Sequence, residues 1–163
     1  MKIGIDLGTT NSAFAFIDPR AAGDIDFPPV HILPIPQQTG PSTVEPRRTL
    51  PSFVFLEGGL DAAIVGEFAR DQGAVAPTKL VHSAKSWLSN SEVDRTAKVL
   101  PWDAREAGRV LSPVEASTRF LKHMREAWEA SGRSPIGEHE VVLTVPASFD
   151  EGARELTVEA AKQ

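Results

Sequence analysis

The amino-acid sequence predicts an α/β fold in which helices flank a mixed β-sheet. Two strand-like apolar runs, residues 3–5 and 13–17, lie close together at the N terminus. Residues 112–131 repeat apolar side chains at helical spacing, and residues 140–145 form a further apolar run that leads into a helix start. Strands and helices that alternate in this way pack as helices against a sheet.

The first two strands are predicted to form a hairpin, because only the polar segment 6–12 separates them. The following residues, 18–52, contain eight of the chain's 13 prolines. Proline lacks a backbone N–H and prevents long regular elements. This region is therefore expected to form loops and short strands, with residues 30–35 as a candidate edge strand.

The helices are predicted from their start signals and their apolar spacing. Short elements are expected in the middle of the chain, namely a strand at 52–56 and helices at 67–72 and 78–88. The helix at 112–131 begins with an N-cap serine, a proline at the first helical position and a capping-box glutamate within residues 112–115. Ser148 and Glu151 suggest a second capping box for the last helix. One apolar stripe of the long helix is predicted to be core: Val114, Leu121, Met124 and Trp128.

The last strand and helix form an unfinished unit. Residues 140–145 are predicted to be a buried strand that ends at Pro146. The helix that follows reaches Gln163 without a glycine cap or a proline stop, and such a unit normally leads to another parallel strand. We expect the natural polypeptide to continue, so that residues 1–163 form one incomplete N-terminal lobe. A natural terminus in a frayed helix is the alternative.

The composition argues against several classes of function. Of the 163 residues, 41% are apolar and 24% charged, as in globular chains, and the absence of cysteine excludes disulfides, thiolate metal sites and a thiol nucleophile. The net charge is −5, with no basic segment that would favour nucleic acid or an anionic membrane. Neither a signal peptide nor a stretch of about 20 apolar residues is present, so we expect a cytoplasmic protein.

The polar tip of the predicted hairpin is the most informative segment for function. Gly8 allows the backbone to approach a ligand closely, and the backbone N–H groups and hydroxyls of Thr9 and Thr10 can surround phosphate oxygens. Asp6, at the end of the first strand, can organise the waters of a magnesium ion. The same residues are also good turn formers, so a purely structural hairpin is an equal alternative on this evidence. Neither a P-loop nor a dinucleotide-binding glycine motif is present.

Three segments in the same order resemble the Hsp70 (DnaK-type) chaperones of the actin/hexokinase/Hsp70 ATPase superfamily. Residues 3–12 are similar to the first phosphate-binding hairpin of that family. Residues 50–54 and 65–69 resemble its Pro-Ser strand and the Val-Gly-x-x-Ala helix start, and residues 141–149 resemble its Thr-Val-Pro-Ala-x-Phe segment. The resemblance implies the first lobe of an actin-like (ribonuclease H-like) ATPase domain, with a small subdomain that is trimmed between Leu88 and Ser112.

The resemblance also assigns roles to individual residues. It implies that Asp6 holds magnesium through water and that four residues line the β- and γ-phosphates of ATP or ADP: Gly8, Thr9, Thr10 and Asn11. Pro146 and Arg154 match positions that couple nucleotide state to the peptide-binding domain, although Arg154 is equally well explained as a solvated helix residue. Arg70 stands where the family has a catalytic lysine, and a planar guanidinium is a different group from a point-like ammonium.

The implied function is that of an ATP-dependent molecular chaperone. By resemblance the complete protein hydrolyses ATP to control peptide binding, and its partners are unfolded peptide clients, a J-domain co-chaperone and a nucleotide-exchange factor. An isolated lobe offers half of a cleft and is expected to be inactive. Two alternatives remain open, an ATP-binding regulatory or interaction module with little turnover and a small-molecule kinase of the same superfamily.

Overall fold

A computed structural model describes residues 1–22, 28–57, 62–107 and 110–163. The strands are β1 (Lys2–Asp6), β2 (Asn11–Ile17), β3 (His31–Ile32), β4 (Ile35–Gly40), β5 (Thr43–Arg47), β6 (Leu50–Pro51), β7 (Phe53–Phe55), β8 (Ile64–Val65), β9 (Leu80–His82) and β10 (Glu140–Thr144). The α-helices are α1 (Pro19–Ala22), α2 (Glu67–Val75), α3 (Ala84–Leu88), α4 (Pro113–Ala130) and α5 (Glu151–Lys162). Short 3-10 helices span Pro77–Lys79, Trp102–Ala107 and Ile136–Glu138.

The main sheet is mixed, as predicted, and its strands run in the order β10-β1-β2-β3. β1 and β2 form the predicted antiparallel hairpin, while β10 pairs with β1 in parallel. Of the predicted edge strand at 30–35, only residues 31–32 join this sheet, as β3, and Ile35 begins β4. β6 also pairs with β2, with Pro51 opposite Asn11, so the residues that follow β6 lie beside the tip of the hairpin.

The core lies between the main sheet and α4, and its predicted residues are confirmed. Trp128 is fully buried and stacks on Phe14 of β2 at 5.4 Å between ring centroids. Phe16, two residues further along the same face of β2, meets the Trp128 ring edge-on at 5.4 Å. The α4 start is the predicted capping box, in which the Ser112 side chain accepts from the Glu115 N–H and the Glu115 carboxylate accepts from the Ser112 N–H.

The middle of the chain departs from the prediction at 78–88, which is not one helix. Its first part forms β9, whose Val81 is fully buried and pairs with Val54 of β7 in a three-stranded sheet ordered β8-β7-β9. Ser83, in the left-handed conformation with φ 57°, separates β9 from α3. The long-range pairing with β7 therefore decides the conformation here, against the local sequence pattern.

The proline-rich region contains a longer regular element than predicted. β4 and β5 form a separate antiparallel hairpin in which Pro36 lies opposite Pro46. In a two-stranded sheet each strand has one outer edge. A proline whose missing N–H would face that edge removes no hydrogen bond between the two strands. The hairpin contacts α2 and α4, and the His123 ring nitrogen Nε2 lies 2.8 Å from the Pro36 carbonyl oxygen.

The C-terminal unit requires two corrections. β10 is an edge strand with Val141 and Val142 exposed, so it is not the buried strand that was predicted from its apolar residues. The α5 helix is capped by Asp150, whose carboxylate accepts from the Ala153 N–H at 2.8 Å, and not by the predicted Ser148 and Glu151 pair. Asp150 directly precedes the first helical residue, which is the position an N-cap must occupy.

The two longest helices in the described residues are α4 and α5. α4 is 18 residues long and carries charged side chains on its outer face, and α5 has 12 residues. In the described part of the chain, no helix joins the length and the hydropathy that a membrane span requires.

Candidate functional site

The predicted phosphate-binding residues lie together at the tip of the β1–β2 hairpin. Asp6, Thr9, Thr10 and Asn11 are exposed there, and Leu7 between them is buried and anchors the tip to the core. The polar residues are therefore presented to solvent on a rigid base. This is the placement that a binding loop needs.

Gly8 is required at the tip because its backbone runs very close to Asn11. A Cβ placed on Gly8 would lie 1.9 Å from the Asn11 carbonyl oxygen and 3.0 Å from its carbon. Any other residue would push the two sides of the tip apart. The sequence suggested glycine for close approach to a ligand, and the structure adds a steric reason inside the hairpin itself.

Thr144 orients Asp6, and it was not among the predicted site residues. The parallel pairing of β1 with β10 places Thr144 directly beside Asp6, and its hydroxyl donates to the Asp6 Oδ1 atom at 2.9 Å. One carboxylate oxygen is thereby fixed by the protein, while Oδ2 has no hydrogen bond to another described residue. The signal in the sequence was a threonine at the end of the strand that follows the longest helix.

Ser52 fastens the tip to the neighbouring segment. Its hydroxyl donates to the Gly8 carbonyl at 2.8 Å, its own N–H donates to the Thr10 carbonyl at 2.8 Å, and its Oγ lies 3.0 Å from that of Ser12. Both serines are buried. The Pro-Ser pair supported the family resemblance, but nothing in the linear sequence places its hydroxyl against a loop 44 residues away.

Arg70 lies on the exposed face of α2, and its guanidinium is hydrogen-bonded to the carboxylate of the next residue, Asp71. Its Nε and Nη2 atoms both lie 3.0 Å from Asp71 Oδ1. Among the described residues, its side chain makes no hydrogen bond to the hairpin tip. The structure therefore brings five of the predicted residues together at the tip, Asp6, Gly8, Thr9, Thr10 and Asn11, and places Arg70 on a separate element.

A buried glutamine fixes the start of the helix that carries Arg70. Gln37 Oε1 accepts from the Glu67 N–H at 2.9 Å, and its Nε2 donates to the Thr49 carbonyl at 2.9 Å. Gly66 has φ 98°, a conformation that favours glycine, and a Cβ there would lie 2.5 Å from Gln37 Oε1. Hydrogen bonding to the Arg47 guanidinium lowers the pKa of the Glu67 carboxyl, so this acid stays charged at the N-terminal end of the helix.

Pro146 lies in the loop before α5 and Arg154 in the first turn of that helix, and hydrogen bonds link both residues to Phe149. The Phe149 N–H donates to the Pro146 carbonyl at 3.1 Å, and the Arg154 Nε donates to the Phe149 carbonyl at 3.2 Å. Arg154 is exposed, and its side chain folds back along the loop that contains Pro146. The two predicted coupling residues are thus connected through Phe149, a buried residue of the turn between them.

An ion pair ties the same turn to Arg95, in the segment between Leu88 and Ser112 where the small subdomain is predicted to be trimmed. Arg95 donates from Nη1 and Nη2 to the two carboxylate oxygens of Asp150 at 2.8 and 2.7 Å. Hydrogen bonding to Arg95, helped by the Ala153 N–H, lowers the pKa of Asp150 to about 2. Asp150 therefore holds both the start of α5 and the loop around Arg95.

The residues at the tip suit a metal held through water more than one held by protein ligands alone. In residues 1–22, 28–57, 62–107 and 110–163, no group of three or more His, Cys, Asp or Glu is arranged to hold a metal ion. A single carboxylate with one free oxygen, beside backbone donors for phosphate, fits hydrated magnesium that is shared with a nucleotide. The donor set thus fits the cofactors that the resemblance implied.

The chain is similar to known proteins along almost its whole length. Residues 2–163 match the family model described as Hsp70 protein. The chain is 31% identical, over an alignment of 179 residues, to the heat shock 70 kDa protein BIP3 of Oryza sativa subsp. japonica. That alignment covers 98% of this chain and 24% of the rice protein, so the chain spans about a quarter of the length of the curated relative it matches.

Proposed function

Since this chain belongs to the Hsp70 family, we propose that it forms the phosphate-binding part of an ATP-dependent molecular chaperone. The observation that carries the proposal is the hairpin tip, where Gly8 leaves no room for a side chain and Ser52 holds the backbone from below. The mixed sheet with few helices agrees with the actin-like ATPase lobe that the sequence predicted.

The tip would bind the β- and γ-phosphates of ATP or ADP. Thr9 and Thr10 offer hydroxyls and backbone N–H groups in an exposed turn, and Asn11 adds an amide at the start of β2. Hydrogen-bond donors that are already in position bind an anion without a free-energy cost for rearranging the loop. Leu7, buried beneath the turn, keeps these donors in place.

Asp6 would hold magnesium through water. Bound magnesium supplies positive charge that neutralises the phosphate oxygens. The protein's contribution is to fix the direction of the carboxylate, which the Thr144 hydroxyl does at 2.9 Å. The oxygen that remains, Oδ2, can then accept hydrogen bonds from the hydration shell of the ion.

Arg70 is the candidate for the catalytic group that the family has as lysine. A guanidinium can stabilise charge on the γ-phosphate. To do so it must give up its contacts with Asp71, which are exposed and therefore weak. The second candidate function, an ATP-binding module with little turnover, is supported by the arginine that stands in place of the family's lysine. In the described residues this arginine bonds Asp71 and makes no hydrogen bond to the tip.

The remaining roles concern the complete protein. We place Pro146 and Arg154 in the coupling between the nucleotide and a peptide-binding domain, since the two are connected through the Phe149 turn. Unfolded peptide clients, a J-domain co-chaperone and a nucleotide-exchange factor would be the partners, in the cytoplasm. Family membership and the cysteine-free, mildly acidic composition support this proposal.

Calorimetric titration tests nucleotide binding. The longest natural polypeptide that carries this sequence should bind ADP and ATP more tightly with magnesium than with a chelator. Asp6→Asn should remove most of the magnesium dependence, whereas Asp18→Asn, at the other end of β2, should leave it unchanged. Binding without any magnesium dependence, or no binding, would refute the proposed site.

Single-turnover hydrolysis separates the two candidate functions. If the chain belongs to an active ATPase, Arg70→Lys should change the rate of phosphate release by only a few fold. If it belongs to a binding module, restoring the lysine should raise the rate strongly while nucleotide affinity stays the same. Arg20→Lys, an exposed position on α1, is the matched control.

A further inference from the structure

We propose that Ser52 is a positioning residue that sets the direction of the Thr9 N–H, and that Ser12 supports it through a chain of hydroxyl hydrogen bonds. The inference rests on the proposed function, because it treats the hairpin tip as a phosphate site. Neither serine would touch the ligand. Both would act by holding the backbone that does.

The first part of the evidence is that Ser52 holds two carbonyls of the tip. Its hydroxyl donates to the Gly8 carbonyl and its backbone N–H donates to the Thr10 carbonyl, each at 2.8 Å. Ser52 is 2% exposed, so its hydroxyl and N–H are satisfied by these two carbonyls within the protein. The two carbonyls that flank Thr9 are therefore both drawn towards the protein interior.

The direction of the hydroxyl chain follows from counting protons. A carbonyl oxygen only accepts, so the single proton of the Ser52 hydroxyl is used on Gly8. The 3.0 Å contact between the two serine hydroxyls must then have Ser12 as its donor. Ser12 is fully buried, and in the described part of the chain no buried side-chain N or O atom lacks a partner. The order is thus Ser12 to Ser52 to the Gly8 carbonyl.

The geometry of the peptide bond turns this anchoring into a binding feature. A trans peptide is planar, and its C=O and N–H point in opposite directions. The Gly8–Thr9 peptide is trans, so a Gly8 carbonyl that points to Ser52 directs the Thr9 N–H away from it, towards the exposed side of the tip. That N–H donates to no other described residue. It remains available for an anionic oxygen of a ligand.

The test compares a ligand that has phosphates with one that does not. In the longest natural polypeptide that carries this sequence, Ser52→Ala should weaken Mg·ADP binding about tenfold and leave adenosine binding unchanged. Ser117→Ala is the matched control, because the Ser117 hydroxyl is equally buried and also donates to a carbonyl at 2.8 Å, within α4. It should leave both affinities unchanged even if it lowers thermal stability.

Two further variants and one spectroscopic measurement complete the test. Ser12→Ala should weaken Mg·ADP binding less than Ser52→Ala, and the double variant should be no weaker than Ser52→Ala alone. Ser52→Cys, which keeps a weak donor of similar shape, should recover part of the affinity. In the ligand-free protein, the residual dipolar coupling of the Thr9 N–H should change in Ser52→Ala and not in Ser117→Ala.

The outcomes separate this inference from the proposed function. If the wild type binds Mg·ADP and Ser52→Ala binds it equally well, the inference is overturned and the proposed function is not. Equal losses for ADP and adenosine would overturn it as well, because they would show a general effect on the fold. Failure of the wild type to bind Mg·ADP would refute the proposed function, and the inference with it.

Discussion

Substitution of Gly8 by alanine should damage the site more than any other single methyl group added to the hairpin. The added Cβ would lie 1.9 Å from the Asn11 carbonyl oxygen, whereas real contacts of this kind are essentially never below 3.0 Å. The tip must therefore open by about 1.1 Å, the difference between these two distances. The atom in the way is backbone, so no side-chain rotation can relieve the clash.

The expected size of the effect follows from the strain. Forcing an extra methyl group into a packed site costs about 1–3 kcal/mol. A tip that has opened must close again to present its donors, so most of that cost should appear in ligand binding. At about 1.4 kcal/mol for each factor of ten, the dissociation constant for Mg·ATP should rise roughly 5- to 150-fold.

The assay is calorimetric titration with Mg·ATP, together with thermal unfolding of the same samples. Gly4→Ala is the control, because it adds the same methyl group to strand β1 of the same hairpin, at a position where nothing lies within 4 Å. Gly4→Ala should bind as the wild type does and unfold at the same temperature or slightly above. Wild-type affinity in Gly8→Ala would show that the tip is loose, and would refute the argument from a rigid cradle.

Three further predictions concern stability. Asp150→Asn should lower the free energy of unfolding at neutral pH, and the difference from wild type should disappear as the pH falls from about 4 towards 2. The reason is that the pKa of Asp150 is depressed to about 2, so its charge contributes fully above the ordinary pKa of 3.8 and the contribution is lost on acidification. The measurement is urea titration across this pH range, and a constant difference between variant and wild type would contradict the prediction. In urea titrations, Gln37→Leu should destabilise the protein by about 1–3 kcal/mol, because it leaves the Glu67 N–H and the Thr49 carbonyl unpaired. The control Gln38→Leu, on the same strand, should cost clearly less, and equal costs would contradict the prediction. Trp128→Ala should cost about 3–5 kcal/mol by the same measurement, and a cost below 1 kcal/mol would mean that the stack on Phe14 does not organise the core.

The parts of the fold that were predictable are those in which local pattern and tertiary structure agree. The α4 helix carries a capping box, a proline at its first position and an apolar stripe, and all three point to the same helix. β9 was missed because its conformation depends on pairing with β7, which lies 27 residues away at Val54 and Val81. The exposure of β10 was missed for a related reason, since an apolar run does not reveal whether a neighbouring strand covers it.

The candidate site divides in the same way. Asp6 and Gly8 through Asn11 are contiguous in sequence, so turn chemistry and the family resemblance were enough to group them. Ser52 and Thr144 act on the tip from positions 44 and 138 residues distant, and their roles follow only from strand register. The contact of Arg70 with Asp71 was equally hidden, because adjacent side chains on a helix do not normally face each other.

The pairing of β1 with β10 also determines the order in which parts of the candidate site can form during synthesis. The hydroxyl that fastens the Gly8 carbonyl lies only 44 residues downstream, whereas the one that orients Asp6 lies 138 residues downstream. At a translation rate of roughly 5–20 residues per second, Thr144 is synthesised about 7–28 s after Asp6. The tip that we propose to bind phosphate can thus form in the nascent chain well before Asp6 is oriented, and until then the outer edge of β1 stays open to other strands.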